Sequence, residues 1–399
     1  MRRYQGAYTK MFKRGIFFAD PENDIWVIHD DVKSLYPSSM VVLNLSPESV
    51  HLVELKPYTG EYRFDYENNI IEVPDKTLNK QVVVRVDRED SITRKFMIKM
   101  RDYRDELRGQ GDTMDIRGQQ LGIKLIMNSL YGYNGLEFSA YGSFLVAIVT
   151  TAVGRLIMET ILETVTEEGY TNIGCDTDGN YHHGRDVSQQ INEKVWKIFA
   201  DYPLHEYLRV ETNYYKAVMY YRAKNYLLMT KDDKLKIKGS AFHGRHLPPI
   251  CRTAINVFGR AMFERKPFEN IWKKFYDIKK LDIKEFGMSV TINKDPNATF
   301  SEGGYESTSM FKQLTDKLGE NAVWGQDVYY VKLLDKHGGF TPLGYMKDKE
   351  LIRRIDRDYY LDRVKMVVGR LNKGRYGYKK VKLTKHFVVS SGNPLDNYF

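Results

Sequence analysis

Cysteine is nearly missing: Cys175 and Cys251 are the only two in 399 residues. Two thiols cannot build a disulfide framework or a four-cysteine zinc site, and a reducing compartment is the simplest setting for them. Long apolar runs are missing as well. No stretch of about eighteen apolar residues is evident, so no membrane-crossing helix is expected. The opening MRRYQGAYTKMFKRG carries positive charge with no apolar segment behind it, which does not fit a signal peptide. No internal repeat or low-complexity tract stands out.

What is present points to a large soluble-type chain. Its length exceeds one compact core and predicts two or three packed subdomains. The hydrophobic share of 42% is ordinary. Lys and Arg number 61 against 52 Asp and Glu, a net charge of +9 that favours a polyanionic partner. Between Arg363 and Lys385 stand nine Lys or Arg, Arg370, Lys373 and Arg375 among them, and no acidic residue. Such a stretch can track a phosphate backbone; a solvated basic surface is the plainer alternative.

Local patterns predict the elements. Ile25 to Ile28 reads as a buried strand running into Asp30 and Asp31. Residues 51–86 read as hairpins, broken at Gly60, Asn68-Asn69 and Pro74. Ile92 to Arg108 reads as a helix ended by Gly109 and Gly111, with Asp112 capping a second helix that reaches about Tyr131. So short a connection makes the two nearly antiparallel. Ser143 to Glu168 carries helical spacing and stops at Gly169. Two short strands then flank the turn Asp176-Thr177-Asp178. Further on, a strand is expected near Val328 to Leu334 and a helix around KDKELIRRI.

Three segments carry chemistry. In DVKSLYPS, Asp31 ends a buried strand, where an unpaired charge is costly and a divalent metal would compensate it; an Asp at a strand-to-turn transition is also commonplace. Asp176 and Asp178 sit in a turn, which Asp favours anyway, but extended backbone would put both carboxylates on one face. Mg²⁺ is held by one or two carboxylates plus substrate phosphates, which this pair and Asp31 could supply. In KLIMNSLYG, Lys124, Asn128 and Tyr131 share a helix face, and Arg117 joins it. Arg101, Arg104 and Arg108 form a stripe on the preceding helix. The two cationic stripes could clamp a triphosphate or simply face solvent.

DxxSLYPS, KxxxNSxYG and DTD, in that order, resemble motifs A, B and C of the family B DNA polymerases. VTTAVGRLI resembles the helix between B and C, and Lys224-Asn225-Tyr226 with Lys238-Gly239 resembles the KxY element. GQDVYYV and IDRDYYL resemble thumb elements. Tyr4-Gln5-Gly6-Ala7 is similar to the YxGA element that joins an exonuclease to the polymerase module.

The resemblance implies an α+β right-hand fold: an antiparallel-sheet palm from 1–90 and 134–255, helical-hairpin fingers over 91–133, and a mixed helical thumb with a tail over 256–399. It implies a DNA polymerase that extends primer-template DNA with dNTPs. Asp31 and Asp178 would bind two Mg²⁺ ions, for which Mn²⁺ substitutes, with Asp176 assisting. One ion would lower the pKa of the primer 3′-hydroxyl while the other stabilises pyrophosphate. Tyr36 would be the steric gate against a 2′-hydroxyl, and the backbone around Ser34 and Leu35 would hold phosphates. Arg101, Arg104, Arg108 and Lys124 would face the triphosphate, and Asn128 the nascent pair. Tyr4, Gly6, Tyr131, Gly132, Lys224, Tyr226, Lys238, Arg370, Lys373 and Arg375 would contact DNA.

Departures from the family pattern set further expectations. Gly174 and Gly179 flank the DTD turn in GCDTDG and are expected to loosen it. The chain starts where an exonuclease domain has normally ended, and Asp20-Pro21-Glu22 reads as a loop tip, so no intrinsic proofreading is expected: it is either lost or supplied by a separate exonuclease subunit. The short span from Gly132 to Asp176 leaves no room for a protein-priming insertion, which favours a nucleic-acid primer. Leu395, Tyr398 and Phe399 resemble a sliding-clamp peptide, with packing onto the chain as the alternative. Length and organisation fit a viral or phage gene acting in the host cytoplasm. A catalytically silent polymerase-like subunit is the other reading, though it would be expected to lack the carboxylates.

Overall fold

The computed structural model describes residues 3–136, 138–244, 247–268, 271, 282–306 and 308–376. The chain divides into two compact units, Met1–Lys13 with Phe18–Tyr215, and Arg14–Phe17 with Lys216–Phe399.

In the first unit, strand β1 (Thr9–Met11) is followed, after β2 (Gly15–Phe18) of the other unit, by β3 (Trp26–Val32) and helix α1 (Leu35–Val42). Strands β4 (Val50–Pro57), β5 (Arg63–Asp65), β6 (Ile70–Asp75) and β7 (Lys80–Val86) come next. They form an antiparallel sheet in the order β4-β7-β6-β5, the set of hairpins expected there. Helices α2 (Ile92–Gly109), α3 (Met114–Asn134) and α4 (Phe144–Glu167) follow. Then come β8 (Thr171–Asp176), β9 (Gly179–Gly184), α5 (Ser188–Ile198) and β10 (Val210–Arg222). Strands β1, β8, β9, β3 and the first half of β10 lie side by side, all antiparallel.

Caps explain the helix boundaries. Ser91 and Thr113 accept hydrogen bonds from Arg94 N and Ile116 N, so each hydroxyl satisfies a first-turn amide. The cap of α3 is therefore Thr113 and not the expected Asp112, whose carboxylate is held instead by Arg117 at 2.5 Å. Arg117 is thereby drawn away from the Lys124 face it was expected to join.

Helix α4 forms the centre of the core. Val146, Val149, Val153, Ile157 and Ile161 are buried along it, together with Val73 and Val82 of the β4-β7-β6-β5 sheet and Met40 of α1. It corrects one expectation: its 24 residues include an eighteen-residue window of mean hydropathy 1.8, long and apolar enough by composition to cross a membrane. That window is 83% buried within the protein, as a core helix is.

In the second unit, β2 pairs with β10, and β10 with β11 (Asn225–Thr230), which pairs with β12 (Leu235–Lys238). Helices α6 (Ser240–His243) and α7 (Pro249–Phe263) follow. Strands β13 (Met288–Thr291), β14 (Asp327–Lys332) and β15 (Phe340–Pro342) make a three-stranded sheet, and helix α8 (Met310–Leu318) precedes β14. Helices α9 (Asp348–Arg354) and α10 (Arg357–Tyr376) come last. Phe258 meets Phe268 edge-on at 5.0 Å and Phe286 meets Tyr360 at 4.9 Å, packing the apolar faces of α7 and α10.

Candidate active site

Strand β3 has period-two alternation. Asp30 points into the protein, fully buried and bonded to His182 at 2.7 Å. Asp31 points to the other face. Its neighbours across the ladder are Gly179 of β9 and Glu211 of β10. Gly179 follows Asp178, whose carbonyl accepts from Val32 N at 2.8 Å. The turn between β8 and β9 is tight: Thr177 has φ 54°, and Asp178 N donates to Asp176 O at 2.6 Å. Two antiparallel ladders thus bring Asp31 and Asp178 together.

Both line a cavity of about 350 Å³. Its wall continues through Lys33, Ser34, Leu35 and Tyr36, where β3 turns into α1, to Arg104 and Arg108 of α2 and Lys124, Asn128 and Tyr131 of α3. Ser34 makes the corner with a left-handed φ of 52°. Pro37 has no N–H, so Leu35 and Tyr36 supply the amides of the first turn of α1, at the end of a helix that favours anions.

The electrostatics are opposed across the cavity. Burial, and then the charge of Asp178, push the Asp31 carboxyl up to about 7, against the pull of Lys124. Facing it, burial and the neighbouring Arg108 lower the Arg104 pKa, and the buried Nε of Arg104 has no hydrogen-bond partner. A half-buried carboxylate with a second one beside it favours a divalent cation, and a partly desolvated guanidinium with an idle N–H favours a phosphate. The donor set therefore fits a metal-bound triphosphate. Among the described residues no three His, Cys, Asp or Glu side chains converge as a metal cluster, so the protein offers Asp31 and Asp178, with Glu211 also on the cavity wall.

Other residues singled out in the sequence fall elsewhere. Asp176 ends β8 outside the cavity lining and accepts from Thr177 Oγ1 at 3.2 Å. Arg101 leaves the arginine stripe to stack its guanidinium 3.7 Å from the Tyr207 ring centre. Tyr4 is held indoors: its hydroxyl lies 3.4 Å from that of Tyr131, and its ring meets Phe144 edge-on. Gly6 and Gln5 give their carbonyls to the buried Arg155, which also reaches Pro74 O. Gly132 lies within α3, one residue beyond Tyr131. Asp20 and Glu22 occupy an exposed turn, where Asp20 accepts from Asn23 at 2.7 Å.

The second unit holds the rest. Lys224 turns β10 into β11 with φ 62° and is exposed, as is Lys238, whereas Tyr226 is buried and stacked on Tyr220 at 5.0 Å. Gly239 is required: a Cβ there would lie 2.0 Å from Lys224 O. Arg370 donates to Ala241 O, and Lys373 is exposed. The side chain of Arg375, and Leu395, Tyr398 and Phe399, lie outside the described residues.

Three residues escaped the sequence reading. Glu211 has no local signal; only the β3–β10 register reveals it. Gly154 and Arg155 lie in a segment noted only for its family likeness. The expected loosening at Gly179 is also not what its surroundings show. Gly179 is ladder-paired with Asp31, and a Cβ there would stand 2.4 Å from His29 Nε2. The glycine makes room for the His29 ring.

Known proteins share this organisation. The model of DNA polymerase family B matches residues 2–191. The DNA polymerase of Archaeoglobus fulgidus is 22% identical over 418 residues, covering 99% of this chain and 50% of its own. That of Paramecium bursaria Chlorella virus NY2A is 23% identical over 401 residues, covering 90% of this chain and 42% of its own. The solved family B DNA polymerase of Pyrobaculum calidifontis superposes with a TM-score of 0.57 at 17% identity, over 96% of this chain and 48% of that one, a likeness of fold. The chain spans half or less of the length of these relatives. Residues 2–191, the stretch that matches the model of that family, contain all three motifs in order, and this is the part of the chain most like a family B DNA polymerase.

Proposed function

We propose that the Asp31–Asp178 cavity adds deoxynucleotides to a primer 3′-hydroxyl, directed by a template strand. The observation that carries this is the meeting, in one cavity, of the Asp31 and Asp178 carboxylates with Arg104, Arg108 and Lys124. A purely DNA-binding module needs the cations but gains nothing from two carboxylates set side by side, one of them half-buried.

Asp31 and Asp178 would hold Mg²⁺, or Mn²⁺ in its place. Two bound divalent ions would activate the 3′-hydroxyl and offset charge on the departing pyrophosphate. The chain's own residues do the positioning. Arg104, Arg108 and Lys124 orient the triphosphate, and the amides of Leu35 and Tyr36 take phosphate oxygens. Tyr36, half-buried and packed against Tyr131 with ring centroids 4.2 Å apart, would exclude a ribose 2′-hydroxyl. Asn128 and Tyr131 border the new base pair; within the second unit, the exposed Lys224 and Lys238 are suited to DNA phosphates.

The test is primer extension by the purified chain with Mg²⁺ and four dNTPs. Template-matched addition is the expected result. Binding of primer-template with no addition under any divalent metal would leave the silent-subunit reading standing instead.

A further inference from the structure

A glycine sits in the middle of α4, where it costs helix stability relative to alanine. Gly154 is flanked by Val153 and Arg155, both buried, and its backbone is in the ordinary helical region, so no turn requires it. The reason lies across the helix surface. A Cβ at Gly154 would stand 3.0 Å from Tyr36 Cε1, 3.3 Å from Leu35 Cδ2 and 3.7 Å from Tyr36 Cδ1. The missing methyl is the space the Tyr36 ring occupies.

The ring is enclosed on more than one side. Tyr131 of α3 packs against it with centroids 4.2 Å apart, and Tyr131 is itself backed by Tyr4. Tyr36 and Tyr131 line the cavity and Gly154 does not, so the glycine stands behind the ring. Arg155, the next residue, ties α4 to the carbonyls of Gln5, Gly6 and Pro74, which leaves the helix little freedom to retreat.

We propose that Gly154 is a specificity-determining residue: it sets how far Tyr36 protrudes into the nucleotide cavity, and so how strictly the sugar is selected. The inference rests on the reading of Tyr36 as the group that excludes a 2′-hydroxyl. A methyl at Gly154 must displace the ring by a few tenths of an ångström, and with α4 anchored the open direction is the cavity. Gly154→Ala therefore tightens selection and crowds the deoxyribose as well. It acts through Tyr36, so it is a positioning residue and touches no substrate.

The experiment is a double-mutant cycle, read as the ratio of kcat/KM for dNTP over rNTP on one primer-template with Mg²⁺. Tyr36→Ala lowers that ratio if Tyr36 selects the sugar. Gly154→Ala raises it, on the order of tenfold, with a higher dNTP KM. Adding Gly154→Ala to Tyr36→Ala changes nothing, because the new methyl then has no ring to push. If Tyr36→Ala leaves the ratio unchanged, the sugar-gate reading fails. If Tyr36→Ala relaxes selection but Gly154→Ala is neutral, or acts equally in both backgrounds, the inference about Gly154 fails alone. Should Gly154→Ala not fold, the comparison is Tyr36→Leu with Tyr36→Leu/Gly154→Ala, where the shorter flexible side chain tolerates the methyl. A rise in the ratio supports the proposal, and no change overturns it.

Discussion

Asp31 of β3 and Gly179 of β9 are direct partners across an antiparallel ladder, and this register brings the Asp178 carboxylate beside that of Asp31. Two negative groups held side by side, with Asp31 half-buried, are unfavourable alone and favourable around a cation.

The pH dependence of metal binding follows from that pairing. The Asp31 carboxyl, raised from 3.8 to about 7, binds its proton more tightly in the folded than in the unfolded chain. Its contribution to stability is thus present at low pH and lost as pH rises from about 4 through 7. A divalent ion competes with the same proton, so affinity for Mn²⁺ should climb over that range and level off above it. Calorimetric titration of the native chain and of Asp31→Asn at several pH values tests this. Equal pH dependence in the two proteins would contradict it.

Arg104 and Arg101 lie one helical turn apart but have different surroundings. Arg104 faces the cavity with an idle Nε, whereas Arg101 stacks on Tyr207. Arg104→Ala should lower kcat/KM for dNTP by about 10- to 100-fold, the worth of a charge-assisted hydrogen bond. Arg101→Ala should act mainly on stability. Steady-state kinetics of the two variants, with thermal melts, separates the roles.

Arg155 is 2% exposed and serves three carbonyls, at 2.7, 3.1 and 2.9 Å. Arg155→Met keeps the packing volume but leaves Gly6 and Pro74 without that donor. A loss on the order of 3 kcal/mol is expected in denaturant unfolding. A change below about 0.5 kcal/mol would mean that water replaces the guanidinium.

Much of this was legible in the sequence. The apolar run Ile25 to Ile28 predicted a strand leading into the acidic pair, which β3 in fact carries on through to Val32; glycines and caps predicted the α2–α3 hairpin, and the DTD turn fell between two short strands. What was not legible depends on partners distant in sequence. Glu211 becomes part of the site through strand register, and Gly179 is explained by His29, 150 positions earlier. Asp112 and Thr113 are both good caps, and the choice between them was made by Arg117. Helix α4 escaped the search for apolar runs because Thr150, Thr151 and Arg155 interrupt it. Their side chains bury well only where Arg155 finds carbonyls and threonines bond back to the helix, as Thr151 does to Ala147 O at 2.9 Å.

The central claim is that Asp31 and Asp178 are the reacting centre and not a structural pair. The direct measurement is single-nucleotide addition by Asp178→Asn, beside its primer-template affinity, at saturating Mg²⁺. The account predicts that addition falls by at least about 10²–10³-fold while DNA affinity stays within a few-fold of the native chain. Near-native addition by a folded Asp178→Asn protein would contradict it.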